Sequence, residues 1–286
     1  MTALCRPMRR AELDLALDWA AAEGWNPGLR DADAFWAADP GGFWIAELDG
    51  EPIGSLSVVR YGPEFGFLGF YIVRPGWRGQ GHGLALWRAG MAHLGGDRCV
   101  GLDGVVAQQA NYRRSGFVLA RRNIRLGAAR VAAPAPAPGI AVVPAATLPF
   151  TALAAYDATC FEAPREGFLR AWLTLPGHVA LAALREDGGL AGFGVVRPCR
   201  QGAKIGPLFA DGAAAAGTLL AALAAAAPPG GPLFLDVPEP NGPAMALARA
   251  AGMAPVFETA RMYTRPPPRP RVRAERVFGV TSFELG

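Results

Sequence analysis

One pattern limits the fold of this chain more than any other: a series of strands and helices runs up to a proline-rich stretch and then starts again. That stretch, Val131–Gly139, reads VAAPAPAPG. Each proline removes a backbone donor and fixes φ, so the run favours an extended, polyproline-like spacer over packed structure. Before it, the pattern predicts strands at Leu4–Met8, Phe43–Leu48, Pro52–Arg60, Phe65–Val73, Cys99–Leu102 and Phe117–Leu126. Helices are predicted at Arg10–Ala22, near Ala32–Ala37, after a glycine-rich segment where Leu84, Trp87, Met91 and Leu94 keep helical spacing, and at Gln108–Ser115. Asp49-Gly50 is a hairpin signal between two of the strands. After the spacer the same order returns, from a strand at Ile140–Val143 to one at Val256–Thr264. Three strands, a helix, a strand, a helix and a strand, twice over, imply α/β architecture with a mixed sheet and helices on its faces.

With 286 residues there is enough chain for two such units. Half of the residues are hydrophobic and 18% are charged, a globular balance. The net charge of +4 is carried almost wholly by arginine, with acidic residues interspersed and no long run of like charge. That distribution suits a small anionic ligand and argues against a nucleic-acid partner. Cys5, Cys99, Cys160 and Cys199 form no CxxC pair and the three histidines do not cluster, so no metal site is expected. The N-terminus lacks the apolar core of a signal peptide, and the longest apolar stretch, Ala213–Ala227, is shorter than the ~20 residues of a membrane helix. A cytoplasmic protein without membrane contact is the expectation; the sequence leaves its oligomeric state open.

Val73–Gly83, VRPGWRGQGHG, lies directly between a predicted strand and a predicted helix. Pro75 ends the strand, and Gly79, Gly81 and Gly83 let the backbone approach a ligand without Cβ interference. The unpaired N–H groups and the dipole of the following helix make a site for a diphosphate. The segment is neither a G-K-[ST] phosphate loop nor a G-x-G-x-x-G dinucleotide fingerprint.

Arg78-Gly79-Gln80-Gly81-His82-Gly83 resembles the (Gln/Arg)-x-x-Gly-x-(Gly/Ala) loop by which acyltransferases of the GNAT superfamily hold the pyrophosphate of acetyl-CoA. Val73-x-Pro75 resembles that family's exit from its fourth strand. Tyr112 stands four residues before Gly116-Phe117, similar to the family's Tyr-x-x-x-Gly-Phe. The resemblance is carried by motifs in residues 65–117 and by architecture elsewhere. It implies two GNAT-like domains in tandem: residues 1–130 binding acyl-CoA, a linker at 131–139, and a degenerate second domain at 140–286 that shapes the acceptor pocket.

The resemblance also implies an N-acetyltransferase that moves an acetyl or other acyl group from acetyl-CoA to a small-molecule amine by direct attack. The alternative is a non-catalytic acyl-CoA-binding or sensing module. Tyr71, Ile72 and Val73 would face the pantetheine arm across a gap between the fourth and fifth strands. Arg78, Gly79, Gln80, Gly81, His82 and Gly83 would hold the diphosphate, joined by Asn111 and Arg114. Tyr112 would protonate the departing thiolate, since a thiolate leaves more easily when a phenol donates as the C–S bond breaks. Asp103 would bind or deprotonate the amine, although an Asp-Gly pair equally suits a turn. Trp25-Asn26-Pro27-Gly28 falls in the loop that lines the acceptor pocket in this family, or is a plain turn with a buried tryptophan. Where the family often has an asparagine touching pantetheine, this chain has Val105, and Gln108 or Asn111 are the available substitutes.

The second half keeps the order of elements without the chemistry. Asp211 falls in the counterpart of the loop and opposes a diphosphate, and Ala248 stands where the tyrosine would be. Asn241-x-x-Ala244 still resembles the family's Asn-x-x-Ala. Cys199, between Arg197 and Arg200, has a setting that lowers a thiol pKa. Finally, Val277–Gly286 follows a second proline cluster, Arg265–Pro270, and has strand propensity. It is expected either to complete the second sheet or to cross to the first, where its terminus would approach the acceptor as a base.

Overall fold

A computed structural model of the protein describes residues 3–132, 134–268 and 272–286. Ala133 of the spacer, with Arg269 and Pro270 of the second proline cluster, lies outside the described residues. The first half contains β1 (Leu4–Pro7), α1 (Glu12–Ala22), α2 (Asp31–Ala38), β2 (Phe43–Leu48), β3 (Glu51–Tyr61), β4 (Phe65–Val73), α3 (His82–Leu94), β5 (Cys99–Val105), α4 (Gln109–Arg114) and β6 (Val118–Ala128). In the second half these are matched by β7 (Ile140–Pro144), α5 (Phe150–Asp157), α6 (Glu166–Thr174), β8 (Val179–Arg185), β9 (Leu190–Pro198), β10 (Ala203–Ala210), α7 (Ala213–Ala226), β11 (Leu233–Pro238), α8 (Gly242–Ala250) and β12 (Ala254–Tyr263). A short β13 (Val277–Gly279) precedes the end of the chain.

Local chemistry accounts for most boundaries. Asp49 and Gly50 both take positive φ, the backbone a two-residue hairpin demands. The buried stripe of α3 is Leu86, Gly90 and Leu94, lying against Leu56 and Val58 of β3. That stripe is rotated from the one the sequence suggests: Trp87 and Met91 flank it and Leu84 is exposed. A Cβ on Gly90 would stand 2.4 Å from Leu56, so glycine is what lets the helix seat this deeply. The spacer is not free of the fold. The Ala137 N–H donates to Thr218 Oγ1 on α7, and the Ala132 N–H to the Ala251 carbonyl.

Among the described residues the strands form one continuous sheet, in the order β1-β2-β3-β4-β5-β12-β6-β11-β10-β9-β8-β7. The last strand of each half sits beside the fifth strand of the other: β12 pairs with β5, β6 with β11, and β6 and β12 with each other. The place beside β5 in the first half is thus taken by β12 and not by a crossing tail. β13 pairs with β10 instead.

The halves are also joined by buried polar contacts. Arg197 donates to Asp31, with both side chains fully buried, and Arg125 forms a bidentate pair with Asp236. Asn26 exchanges two hydrogen bonds with the Gln201 backbone, and its carbonyl accepts from Lys204 Nζ. The Trp25–Gly28 segment is therefore a docking loop rather than a plain turn. Removing one partner of a buried pair of this kind typically costs about 3–5 kcal/mol.

Candidate active site

β4 and β5 are parallel and hydrogen-bonded only from Phe65↔Cys99 to Leu68↔Leu102, after which they part. The cause is a bulge in β4. Ser57 opposes Gly69 and Ser55 opposes Ile72, so two residues of β4 face the single Leu56, and Phe70 takes φ +45°. Beyond Leu68 the β5-facing edge of β4 is left open. A cavity of about 420 Å³ fills the gap.

Most of the residues expected from the sequence meet around this cavity. Tyr71, Ile72, Val73, Arg78, Gly79, Gly81, Gly83, Asp103 and Tyr112 all line it. Gln80, His82, Asn111 and Arg114 do not. Gln80 donates to the Gly76 carbonyl, and His82 is buried with its ring edge-on to Trp77. Asn111 and Arg114 bond to each other on the exposed face of α4. Val105 and Gln108 are also in the wall.

The glycine-rich loop has the geometry of an anion cradle. Gly79 and Gly81 have φ of +77° and +87°, a region costly for any other residue type. Gly81 is the N-cap of α3, and no side chain caps the helix, so its first-turn N–H groups have no capping acceptor. A Cβ on Gly83 would stand 2.9 Å from the Tyr71 hydroxyl, so this glycine permits the close seating of α3 on β4. Arg78 donates to the Val73 carbonyl and pairs with Glu23 at the mouth of the cavity. These residues fit a diphosphate carried by a long, thin molecule.

Tyr112 is 7% exposed, with its ring stacked on Trp87 and packed over Gly104, whose missing Cβ makes the room. Burial, and to a lesser degree the neighbouring Tyr71, pushes its pKa above the ordinary phenol range, which keeps the proton on the oxygen at neutral pH. Asp103 has a different environment from the one its Asp-Gly sequence suggests. Arg261 of β12 holds both carboxylate oxygens, at 3.0 and 2.7 Å, and Asn123 of β6 donates to one of them at 2.8 Å. Asp103 ties the crossed strands together.

The far wall comes from outside the motifs. Phe257 and Thr259 of β12, Phe283 of the C-terminal tail and Trp25 of the docking loop all line the cavity. No periodicity marks the first three, because their position depends on β12 lying next to β5. Cys199 is buried, and burial raises its thiol pKa rather than lowering it, so the adjacent arginines do not activate it. Among the described residues no cluster of histidine, cysteine and carboxylates is placed to hold a metal, and no helix is long and apolar enough to cross a membrane.

In the second half the corresponding gap is closed. β9 and β10 carry an equivalent bulge, with Gly206 and Pro207 facing the single Val195, and β10 pairs with β11 only over Ala203–Ile205. Where β10 and β11 part, the chain's own tail enters. β13 pairs with β10 at Leu208 and Phe209, and the Val280 N–H donates to the Asp236 carbonyl on β11. Asn241, the residue similar to the family's cofactor-side asparagine, donates to the Val277 carbonyl at 2.9 Å and lies within reach of the Glu275 carbonyl. The tail then runs on to the first half, where the Glu284 carbonyl lies over Gly69 and the Leu285 carbonyl accepts from Tyr61. Gly286 ends against Arg165, Phe161 and Phe67 and is not part of the cavity wall. The tail thus pairs with the strands of the second half and still touches the first half, but its last residue does not line the cavity.

Comparison with known proteins agrees with this geometry. Residues 10–117 match the acetyltransferase (GNAT) family and residues 153–279 match an acetyltransferase (GNAT) domain. The chain is 31% identical over 282 residues to the holothin acyltransferase of Pseudoalteromonas sp. (strain SANK 73390), spanning 98% of this chain and 94% of that protein. A putative acetyltransferase from Pyrococcus horikoshii shares the fold, with a TM-score of 0.81 and 20% identity over 100% of this chain and 96% of its own. A tandem GNAT protein from the clavulanic acid biosynthesis pathway also shares it, with a TM-score of 0.62 and 18% identity over 92% of this chain and 99% of its own. The chain belongs to the GNAT family. It is a tandem GNAT acyltransferase, an enzyme rather than a binding module.

Proposed function

We propose that the protein transfers an acetyl group from acetyl-CoA to the amine of a small molecule, using one donor site per chain. The observation that carries this reading is the single cavity that joins the cradle at Gly79–Gly83, the open edge of β4 and the buried Tyr112 hydroxyl group's residue. Residues 1–130 hold the donor, 131–139 link the halves, and 140–286 complete the acceptor wall. The relative is named a holothin acyltransferase, and homology to an acyltransferase over nearly the whole chain supports a small-molecule acceptor here. Four cysteines without a disulfide suit a reducing, cytoplasmic setting.

The residues divide the work as follows. The α3 N-terminus, Gly79, Gly81 and Arg78 bind the diphosphate, with Arg78 exchanging Glu23 for phosphate oxygens. The free edge of β4 at Tyr71–Val73 orients the pantetheine amides. Acetyl-CoA supplies the thioester that the amine attacks: the C–N bond forms, the C–S bond breaks, and the amine's surplus proton passes to water. Tyr112 gives its proton to the departing sulfur. Asp103 acts as a positioning residue, locking β5 to β12. Free-thiol release from acetyl-CoA across an amine panel tests this reading, and a protein that binds acetyl-CoA yet releases no thiol with any amine would refute it.

A further inference from the structure

The acceptor end of the cavity combines three features that narrow the amine. The first is aromatic. Phe257 and Phe283 lie with ring centroids 6.3 Å apart, and the Arg125 guanidinium sits 5.5 and 4.9 Å from the two rings on the side where Asp236 holds it. Arg125 also donates to the Trp25 carbonyl at 2.6 Å, fixing the third aromatic residue of this wall. A wall fixed in this way offers flat, apolar faces at little entropic cost.

The second feature is electrostatic. The carboxylates that line the cavity are Glu23 and Asp103, and each is paired with an arginine. Glu23 lies with Arg78 at the diphosphate end, so at the acceptor end an alkyl ammonium meets, among the described lining carboxylates, Asp103 alone, which Arg261 already holds, and leaves its hydration shell uncompensated. The third is a buried hydroxyl without a partner. Thr259 lines the cavity, is 1% exposed, and its Oγ1 makes no hydrogen bond. It stands directly opposite Val105 on β5 and Asn123 on β6, and Asn123 Oδ1 is likewise buried and unpaired. Buried polar atoms normally find partners, so this corner has hydrogen-bonding capacity that a bound molecule can meet.

We infer that the acceptor is a planar aromatic or heteroaromatic amine that is uncharged at neutral pH, held by the Phe257–Phe283–Trp25 wall with its N–H donated to Thr259 Oγ1. This rests on the acyl-transfer reading above and specifies its substrate class. Alkyl amines carry a proton at neutral pH (the lysine amine has a pKa of about 10.4) and must lose it before attack. An aryl amine, its lone pair delocalised into the ring, arrives as the free base and needs no carboxylate to deprotonate it. One N–H on Thr259 then fixes the nitrogen while its lone pair faces the thioester carbon.

The experiment compares aryl and heteroaryl amines with alkyl amines (a polyamine, lysine, an amino sugar) by thiol release, after calorimetry has established acetyl-CoA binding. The expected result is a kcat/KM on the order of 100-fold higher for the best aryl amine, the cost of stripping an unmatched ammonium being of that order or larger. Thr259→Val should lower kcat/KM for that amine about 5- to 10-fold, the worth of one neutral hydrogen bond. Acetyl-CoA affinity should stay unchanged and Tm should hold or rise, because the substitution removes an unpaired buried polar group. A structural hydroxyl would give the reverse, a lower Tm with full activity. Phe283→Leu should raise KM for the aryl amine roughly 3- to 10-fold through lost stacking. Preference for alkyl amines or an unaffected Thr259→Val enzyme overturns the inference, whereas release with neither set, or failure to bind acetyl-CoA, overturns the acyl-transfer reading beneath it.

Discussion

The two halves make the same gap and use it differently. In each, a bulge in the fourth strand of the half parts it from the fifth: Phe70 and Tyr71 against Leu56 in one, Gly206 and Pro207 against Val195 in the other. The first gap opens onto a glycine-rich helix start and stays accessible. The second is occupied by residues 277–281, with Asn241 bonded to the tail's backbone carbonyl. A gap between parted strands leaves peptide groups unsatisfied, and the options are a ligand or more protein. Here the second half lacks the glycine-rich cradle, its gap holds a peptide of the same chain, and that peptide delivers Phe283 to the cavity of the first half.

Four variants and two wild-type measurements break or sharpen that contrast. Deleting residues 282–286 removes buried Phe283 and Leu285 and should cost about 3–6 kcal/mol of stability, at about 1.5–3 kcal/mol per buried side chain. Denaturant unfolding that shows no loss would mean the tail is an accessory. Tyr112→Phe tests the working gap. Turnover should fall by about 10²–10⁴-fold with acetyl-CoA affinity retained, because the phenol acts only as the thiolate departs. Since burial raises the Tyr112 pKa, its proton is present at neutral pH and is lost only as pH climbs through the elevated value. The wild-type rate should therefore hold into the alkaline range without the fall an ordinary phenol would give.

Gly81→Asp should weaken acetyl-CoA binding on the order of 100-fold, since it places a side chain at φ +87° and a carboxylate at the α3 N-terminus. Calorimetry on the wild-type chain should give one site, and a second would show that the tail leaves its gap. Asn241→Ala should have the smallest effect, about 1–2 kcal/mol of stability from losing its helix cap and its bonds to the tail. Acetyl-CoA affinity in the first half should not change, and a parallel loss of affinity would show that the two gaps are coupled.

Much of this was legible in order along the chain. The hairpin at Asp49-Gly50, the ends of β2 and β4, and the duplication all follow from turn chemistry and period, which are properties of neighbouring residues. The same holds for Arg78, Gly79, Gly81, Gly83 and Tyr112, whose spacing is local and which all line the cavity. Reading failed where a side chain's surroundings depend on how the chain packs rather than on spacing. His82 looked like a phosphate ligand by its place among glycines, yet Trp77 takes its ring into the interior. Asp103 looked like a free carboxylate, but Arg261, 158 residues away, takes both of its oxygens.

The sequence by itself determined two GNAT-type units, a glycine-rich strand-to-helix loop in the first, and the absence of that loop pattern from the second. Each of these depends on short-range pattern: glycines where φ must be positive, an uncapped helix start, a tyrosine one helical turn before a glycine. Only the tertiary structure decided how the units share strands, what fills the second gap, and which residues face the acceptor. Strand propensity says that Ala254–Tyr263 and Val277–Gly279 will pair, but not with what, since backbone donors and acceptors are alike on every edge. The choice is made by side chains that meet only when both halves are folded: Asp103 with Arg261, Asp236 with Arg125, and Asn241 with the tail.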